Sequence, residues 1–228
     1  MPKNQKQKDN AGIMKTGILG GTFNPIHLAH LRIAQEVQQA CKLDRILFIP
    51  AAEPPHKDVA GQVSFTHRLA MVEAAIRDFP DFQASDLEIQ RSGKSFSVDT
   101  LEILRREDPH GERYFIIGLD SYRDIASWKD FSRLFSLSHV VVITRPGVVV
   151  SDPLEPLPVA NREDFCYAKD IEKIRHKSGN RLIFLNETNL DISSTQIRDM
   201  LADGQSIRHL VPPAVADYIE DHGLYQSG

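Results

Sequence analysis

The chain has 228 residues, 41% of them hydrophobic and 25% charged, and its formal net charge is -4. This length allows one large domain or two small ones with a sizeable core, and the slightly acidic balance disfavours sequence-independent binding of nucleic acid. The N-terminal residues MPKNQKQKDNAG lack the apolar run of a secretory signal, and no window has the roughly 20 apolar residues of a membrane span. We therefore expect a cytoplasmic protein without a nucleic-acid or membrane partner.

The margins of the chain and its cysteines suggest no chemistry. Residues 1–13, which precede Met14, are expected to form a disordered extension, and residues 14–228 are expected to form a single domain. Cys41 and Cys166 have neither a metal-binding nor a disulfide spacing, so both are predicted to be small buried hydrophobic residues in a reducing compartment.

Short β-rich segments alternate with amphipathic helices along most of the chain. Strands are predicted at TGILGG, DRILFIPA, DFQASDLEI, ERYFIIGLD, HVVVITRP and NRLIFLNE. Helices are predicted at 28–40, 65–77 and 98–107, where apolar residues recur every three or four positions. This alternation predicts an α/β fold, a doubly wound and mostly parallel sheet with helices on both faces.

The last third of the chain has a looser pattern. The segment 146–178 contains four prolines in its first half and mixed charge, and it is predicted to be a long peripheral connection without a chemical role. A helix is predicted to open at DISSTQIRDML. The final helix follows VPP, with a proline in its first turn and Gly223 just past its end. Residues 191–225 would form a small helical C-terminal part.

The segment GGTFNPIHLAH follows the first predicted strand, at the edge where this class of fold binds ligands. Gly20 and Gly21 allow close backbone approach, and a helix starting near Ile26 or His27 would aim its free amides at an anion. His27 and His30 share the first helical turn. A plain turn with a capping histidine is the alternative. Zinc would need a third ligand that no motif supplies, and the glycines form neither GxGxxG nor a P-loop.

The segment DISSTQIR predicts a second anion site. Ser193 is expected to cap the helix with Gln196 as its capping-box partner, which makes Ser194 and Thr195 the first helical residues. Arg198 follows Ser194 by one turn, so hydroxyls, amides and a guanidinium converge. An ordinary capped helix is again the alternative. Together the two segments predict opposite walls of one phosphate cleft.

These two motifs resemble those of a known superfamily. GGTFNPIHLAH is similar to the [GS]xFxPxHxxH signature of nucleotidyltransferases with a Rossmann-like fold, and ISSTQIR to their ISSTxxR signature; the resemblance spans residues 14–225. PPHK at 54–57 and IIGLDSYRDIASWKDF at 116–131 resemble the bacterial nicotinate-nucleotide adenylyltransferase family. This resemblance implies adenylyl transfer from ATP to nicotinate mononucleotide, a step of NAD biosynthesis.

The resemblance also implies roles for residues around the triphosphate. His27, His30 and Arg198 would be catalytic, with His30 stabilising charge at the α-phosphate and Ser194 and Arg198 holding the β- and γ-phosphates. Mg²⁺ would be held mainly by ATP phosphates and water, without a protein metal site. The implied ATP-binding residues are Gly20, Gly21, Thr22, Phe23, His27, His30, Gly118, Asp120, Ser193, Ser194 and Arg198.

A second group would bind the mononucleotide: Asn24, His56, Lys57, Ser97 and Trp128. Trp128 would stack on the pyridine ring or, as the alternative, anchor a helix in the core. Ser97 would donate to the pyridine carboxylate or cap its helix. The loop carrying His56 and Lys57 would reach the mononucleotide phosphate, act as a lid or be a solvated turn.

Three positions depart from the family pattern. Asn24 stands where bacterial members usually have aspartate, Ala29 replaces a glycine, and Lys129 follows Trp128 where an aromatic residue is common. Related nicotinamide-nucleotide adenylyltransferases resemble this chain in having asparagine at position 24, so a carboxylate there is dispensable, and Ala29 only needs to be small. The departure at Lys129 leaves the exact pyridine pocket open, and the bacterial resemblance implies preference for nicotinate over nicotinamide mononucleotide. The sequence allows a homo-oligomer but does not determine the oligomeric state.

Three rival functions are weighed against this one. A sister transferase for phosphopantetheine or a polyol phosphate would lack the GLDSYRDIASW segment. A fragment of a class I aminoacyl-tRNA synthetase would need a lysine-rich KMSKS-type loop, which is absent. A non-catalytic nucleotide-binding module would bind ATP without releasing pyrophosphate, and the presence of both histidines and Arg198 argues against it.

Overall fold

The structure is a computed structural model that describes residues 12–54, 63–91, 93–144, 147–167, 174–186 and 190–226. The strands are β1 Lys15–Gly21, β2 Arg45–Pro50, β3 Phe82–Ala84, β4 Glu112–Gly118, β5 His139–Thr144, β6 Phe165–Tyr167, β7 Ile174–His176 and β8 Arg181–Asn186. The helices are α1 Leu28–Cys41, α2 Phe65–Ile76, α3 Ser97–Glu107, α4 Leu119–Arg123, α5 Phe131–Leu137, α6 Val159–Arg162, α7 Ser194–Ala202 and α8 Pro213–Asp221, with a short 3₁₀ helix at Ile125–Ser127.

All eight strands form one sheet in the order β3-β2-β1-β4-β5-β8-β7-β6. The six strands from β3 to β8 in this order are parallel, and β7 and β6 extend the sheet in antiparallel pairing. The strand order reverses direction at the β1–β4 pair, where Ile18 is opposite Phe115. The predicted doubly wound α/β fold is confirmed.

Side-chain alternation divides the core into two layers, one on each face of the sheet. Leu19, Phe48 and Ile116 pack with residues of α1, α2, α7 and α8, whereas Ile18 and Phe115 pack with residues of α3, α4 and α5. Consecutive strand residues point to opposite faces, which explains why these strands are apolar along nearly their whole length. The C-terminal helices therefore complete the same core layer as α1.

Several predicted elements differ in detail. The strand expected at DFQASDLEI is only three residues long because the chain turns after Ala84, where the Ser85 hydroxyl accepts from the Leu87 N–H. The connection expected at 146–178 instead includes α6, the edge strand β6 and its neighbour β7. β7 returns to β8 through a turn at Gly179, whose φ of 92° favours glycine.

The two cysteines were predicted to be buried, and this prediction is wrong for Cys166. Cys166 lies in the middle of β6, the last strand of the sheet, and is exposed, while Cys41 ends α1 and is partly buried. An edge strand has no neighbour on one side, so its side chains are covered less. Among the helices that the structure describes, none is both long and apolar enough to cross a bilayer.

Candidate active site

A cavity of about 1120 Å³ opens at the carboxyl ends of β1 and β4. The chain leaves these neighbouring strands toward opposite sides of the sheet, which opens a crevice between the two connections. Fourteen of the predicted site residues line this cavity: Gly20, Gly21, Thr22, Phe23, Asn24, His27, His30, Ser97, Gly118, Asp120, Trp128, Ser193, Ser194 and Arg198. The predicted residues His56 and Lys57 lie outside the described residues.

The loop after β1 forms the floor of the cavity. A Cβ added at Gly20 would meet no atom within 4 Å, so the space above this residue belongs to the cavity. Phe23 has a φ of 49° and buries its ring, which meets the His30 ring edge-on at a centroid distance of 5.1 Å. The loop thus presents backbone on one side and anchors itself with an aromatic ring on the other.

The two histidines form a stacked pair at the start of α1. Their ring centroids are 3.7 Å apart, and the backbone N–H of His27 donates to His30 Nδ1 at 3.2 Å. An accepting Nδ1 places the proton of a neutral His30 on Nε2, which makes Nε2 a donor. Burial lowers the pKa of His27 from 6.5 to about 4, and its Nδ1 is buried without a hydrogen-bond partner among the described residues.

The start of α7 is fastened directly to the loop after β1. Ser193 caps the helix by accepting from the Gln196 N–H at 3.1 Å, as predicted. The Ser194 hydroxyl donates to the Pro25 carbonyl at 2.9 Å, and Arg198 Nη1 donates to the Asn24 carbonyl at 2.8 Å. The two predicted motifs, about 170 residues apart in the chain, therefore bond directly to each other beside one cavity. They share a cavity as predicted, but the prediction that they form its opposite walls is wrong.

Asn24 is buried and its amide is held in a defined orientation. Its Oδ1 accepts from the Tyr225 hydroxyl at 2.7 Å and from the Val63 N–H at 3.4 Å. Burial raises the pKa of Tyr225 well above its usual range, so this hydroxyl keeps its proton and donates it. The C-terminal end of the chain thereby helps to hold the active-site loop.

Gly118 and Asp120 lie where β4 passes into α4. The strand was predicted to continue to Asp120, but it ends at Gly118 and α4 starts at Leu119. Asp120 is therefore in the first turn of the helix and is not its N-cap. Its carboxylate is largely exposed and 3.5 Å from the Arg123 guanidinium. Gly118 has no atom within 4 Å of an added Cβ, again because the cavity lies beside it.

The opposite wall of the cavity contains Trp128 and Ser97. Trp128 is half-buried and packs edge-on against Phe115 with a centroid distance of 6.3 Å. Ser97 is the first residue of α3, and Phe96 occupies the N-cap position, so the capping alternative for Ser97 is wrong. Lys129, the departure from the family pattern, pairs with Asp99 at 3.0 Å and lies 4.8 Å from the centroid of the Phe96 ring.

Three buried polar residues around the cavity escaped the sequence analysis. The Ser95 hydroxyl accepts from the Ala52 and Glu53 N–H groups at 3.0 and 3.1 Å. Glu88 accepts from the Thr100 hydroxyl at 2.7 Å, and Arg68 bonds to three carbonyls. Arg68 had a sequence signal, since it occupies the same helical face as Met71 and Val72 and a charged residue there is unusual.

Carboxylates near the cavity are sparse. Among the described residues, no group of three or more His, Cys, Asp or Glu side chains could hold a metal ion. This donor set does not fit a divalent cation bound by the protein alone.

Similarity to known proteins agrees with this geometry. Residues 18–200 match the cytidylyltransferase-like family model. A probable nicotinate-nucleotide adenylyltransferase of Syntrophotalea carbinolica is 61% identical over 94% of this chain and 98% of its own length. Another, from Geobacter metallireducens, is 50% identical over 93% and 98%.

Solved structures extend the likeness to three dimensions. Nicotinic acid mononucleotide adenylyltransferase of Plasmodium falciparum, complexed with NaAD, superposes with a TM-score of 0.70. It is 21% identical, and the match covers 93% of this chain and 97% of that one. At this identity the likeness shows the shared fold.

Proposed function

The chain belongs to the cytidylyltransferase-like family, and we infer that it catalyses adenylyl transfer from ATP to nicotinate mononucleotide, giving nicotinate adenine dinucleotide and pyrophosphate. The observation that carries this inference is the shared cavity, where the histidine pair of the first loop and the serine and arginine of α7 line the same space. Two highly identical relatives carry the same activity in their names.

The reaction needs positioning and positive charge more than a protein nucleophile. The 5'-phosphate of the mononucleotide is ionised at neutral pH and attacks the α-phosphorus of ATP in line, while the bond to the bridging oxygen breaks and pyrophosphate leaves with those electrons. The α-phosphoryl group and the leaving group both gain charge in the transition state. Donors aimed at those oxygens lower the barrier without forming a covalent intermediate.

We assign the histidine pair to the ATP phosphates. Ring stacking on His27 and the hydrogen bond from the His27 backbone N–H to Nδ1 orient His30, so Nε2 of its neutral form is a donor. A phosphate beside His27 would favour its charged form and raise its pKa from the low value of the unliganded protein. Charge on the His27 imidazole would then develop where the anion is bound.

We assign Ser194 and Arg198 to the β- and γ-phosphates. The Ser194 hydroxyl donates its single proton to the Pro25 carbonyl, so Ser194 would meet the phosphates through its backbone N–H, one of the free amides at the start of α7. The guanidinium N–H groups of Arg198 that are not bonded to the Asn24 carbonyl would add charged donors. ATP enters as its Mg²⁺ complex, with the ion held mainly by phosphate oxygens and water. Asp120 and the backbone of residues 20–23 and 118 complete the proposed ATP side.

We assign Trp128, Ser97 and Asn24 to the mononucleotide, with His56 and Lys57 as further candidates outside the described residues. Trp128 exposes part of its ring to the cavity opposite the phosphate side, which suits stacking on a pyridine. Ser97 is not occupied by capping, so its hydroxyl is available for the pyridine carboxylate. Preference for the acid over the amide, the cytoplasmic location and a homo-oligomeric state stay predictions.

Pyrophosphate release across a panel of acceptors tests the function. With ATP and Mg²⁺, nicotinate mononucleotide should have the highest kcat/KM, nicotinamide mononucleotide a lower one, and phosphopantetheine and glycerol phosphate none above background. Preferred turnover of phosphopantetheine or a polyol phosphate would instead indicate a sister transferase. ATP binding without pyrophosphate release would indicate a non-catalytic module.

A further inference from the structure

Arg68 is the largest fully buried side chain of the protein's described part, and no predicted role accounts for it. It lies on the inner face of α2 with a relative exposure of 2%. An arginine is seldom buried unless its charge has dedicated partners. Its surroundings therefore indicate what keeps it there.

The guanidinium joins three separate parts of the chain through backbone carbonyls. Nη1 donates to the Thr22 carbonyl and to the Ala51 carbonyl, both at 2.7 Å, and Nε donates to the Val63 carbonyl at 3.3 Å. Thr22 lies in the loop after β1, and Ala51 directly follows β2. One nitrogen atom thus holds the segments that follow the neighbouring strands β1 and β2.

Carbonyl dipoles are the direct partners of this charge. Among the described residues, Arg68 forms no salt bridge, and burial lowers its pKa, while the negative charge of Glu88 acts in the opposite direction. Three carbonyls are satisfied in return, and turning the Thr22 carbonyl toward Arg68 keeps it away from incoming phosphates. A neutral residue would leave these carbonyls without their donors.

In the proposed function the two carbonyls that Arg68 holds lie on different sides of the cavity, although Asn24, further along the first loop, is assigned to the mononucleotide. Thr22 is on the ATP side of the cavity. Ala51 is followed by Ala52 and Glu53, whose backbone N–H groups donate to the Ser95 hydroxyl. Ser95 precedes Ser97, which is on the mononucleotide side, by two residues. The spacing between the two substrate phosphates therefore depends on how these loops are held relative to each other.

We propose that Arg68 is a positioning residue that fixes the ATP loop after β1 against the mononucleotide-side loop after β2. It acts through the backbone of both loops and touches neither substrate. This inference rests on the proposed function. Because in-line transfer requires the two phosphates within close range, a displacement of about 1 Å costs up to about 100-fold in rate.

Arg68→Lys is the decisive variant, since it keeps the positive charge but loses the planar fork that reaches three carbonyls. Arg113→Lys is its matched control. Arg113 also donates to two backbone carbonyls, those of Leu137 at 3.1 Å and Asp108 at 2.8 Å, but at the start of β4, away from the cavity. Both variants should lower the thermal midpoint, and only Arg68→Lys should impair catalysis.

The measurements are kcat for dinucleotide formation and the Kd of each substrate bound alone, all well below both thermal midpoints. For Arg68→Lys we expect kcat to fall by about 10- to 100-fold while each Kd changes by less than about 3-fold. Arg113→Lys should keep kcat within about 2-fold. Unchanged kcat in Arg68→Lys, or an equal fall in Arg113→Lys, overturns the proposal.

Ser95→Ala provides a second test should Arg68→Lys fail to fold. It releases the Ala52 and Glu53 amides and loosens the same loop, so kcat should fall by about 3- to 10-fold with each Kd preserved. An unchanged kcat there contradicts the proposal. Absence of pyrophosphate release by the unaltered protein would instead refute the proposed function, so the two failures are distinguishable.

Discussion

Two buried histidines, one near the amino ends of the strands and one near their carboxyl ends, have similarly lowered pKa values but different surroundings. Burial lowers the pKa of both His27 and His139 to about 4. At the amino ends of the strands, His139 Nδ1 accepts from the Arg181 N–H at 2.9 Å, and its ring lies 4.4 Å from that of Tyr114. At the carboxyl ends, His27 Nδ1 has no partner among the described residues.

The contrast separates a structural histidine from one prepared for a ligand. A lowered pKa reports burial in both cases and does not by itself identify a catalytic group. The unmet hydrogen-bonding capacity beside a cavity does distinguish His27, because a buried polar atom without a partner is destabilising until a ligand or water supplies one. We therefore expect ligand binding to change the electrostatics at the carboxyl ends of the strands and not at their amino ends.

The largest expected effect is on turnover. His30→Ala should lower kcat by about 100- to 1000-fold, the usual cost of removing a donor to a developing negative charge. It should also lower the thermal midpoint, since it leaves the His27 backbone N–H without its acceptor. His139→Ala should leave kcat within about 2-fold but reduce stability by about 1–3 kcal/mol, since it leaves the Arg181 N–H unsatisfied. Pyrophosphate release and thermal unfolding measure both. Full activity in His30→Ala would remove its assigned role.

Acid should destabilise the protein through protonation of both His27 and His139. Each histidine is protonated more readily in the unfolded chain, so stability is complete above about pH 6.5 and is lost as pH falls toward 4. Between pH 7 and pH 4.5 each should contribute a loss of about 2–3 kcal/mol in the free energy of unfolding. Urea unfolding at the two pH values measures this loss.

His139→Gln is the control for the acid effect, because glutamine removes the titrating group and keeps hydrogen-bonding capacity. Its loss of stability between pH 7 and pH 4.5 should be smaller than that of the unaltered protein by the share of one histidine. If the two proteins lose the same stability, His139 has the same pKa in the folded protein as in the unfolded chain, which contradicts the prediction.

A ligand should distinguish the two histidines by NMR titration. Binding of a non-hydrolysable ATP analogue should raise the pKa of His27 by at least about 1 unit, since an anion favours the imidazolium, and leave that of His139 unchanged. Equal shifts at both rings would show that the analogue binds elsewhere or acts through the whole fold.

The smallest expected effect on activity comes from two glycines, one near the start of β1 and one at the end of β4. Gly118→Val adds a side chain into the cavity without a clash and should raise KM by about 3- to 10-fold with stability preserved. Gly17→Val meets Ile46 and Leu43 in the core and should lower stability by about 1–3 kcal/mol with KM unchanged. Steady-state kinetics and thermal unfolding check the pair, and an unaltered KM in Gly118→Val would place the substrates away from β4.

Local chemistry was sufficient to predict most of the fold and the two segments to which we assign phosphate binding. Apolar strands and helical spacing along β1, α1 and β2 are properties of consecutive residues, as is the Ser193 cap of α7. The strands β6 and β7 were missed because they are three residues each and leave no periodic pattern. Exposed Cys166 was missed for the related reason that an edge position is set by neighbours.

What the amino-acid sequence determined by itself was the alternation of the longer strands and helices and the kinds of side chain placed after β1 and at the start of α7. Only the tertiary structure decided that Ser194 and Arg198 bond to the Pro25 and Asn24 carbonyls, and that Arg68 holds Thr22 and Ala51 together. Spacing along a chain governs local hydrogen bonds. Contacts between distant segments depend instead on how the sheet brings the ends of its strands to one edge.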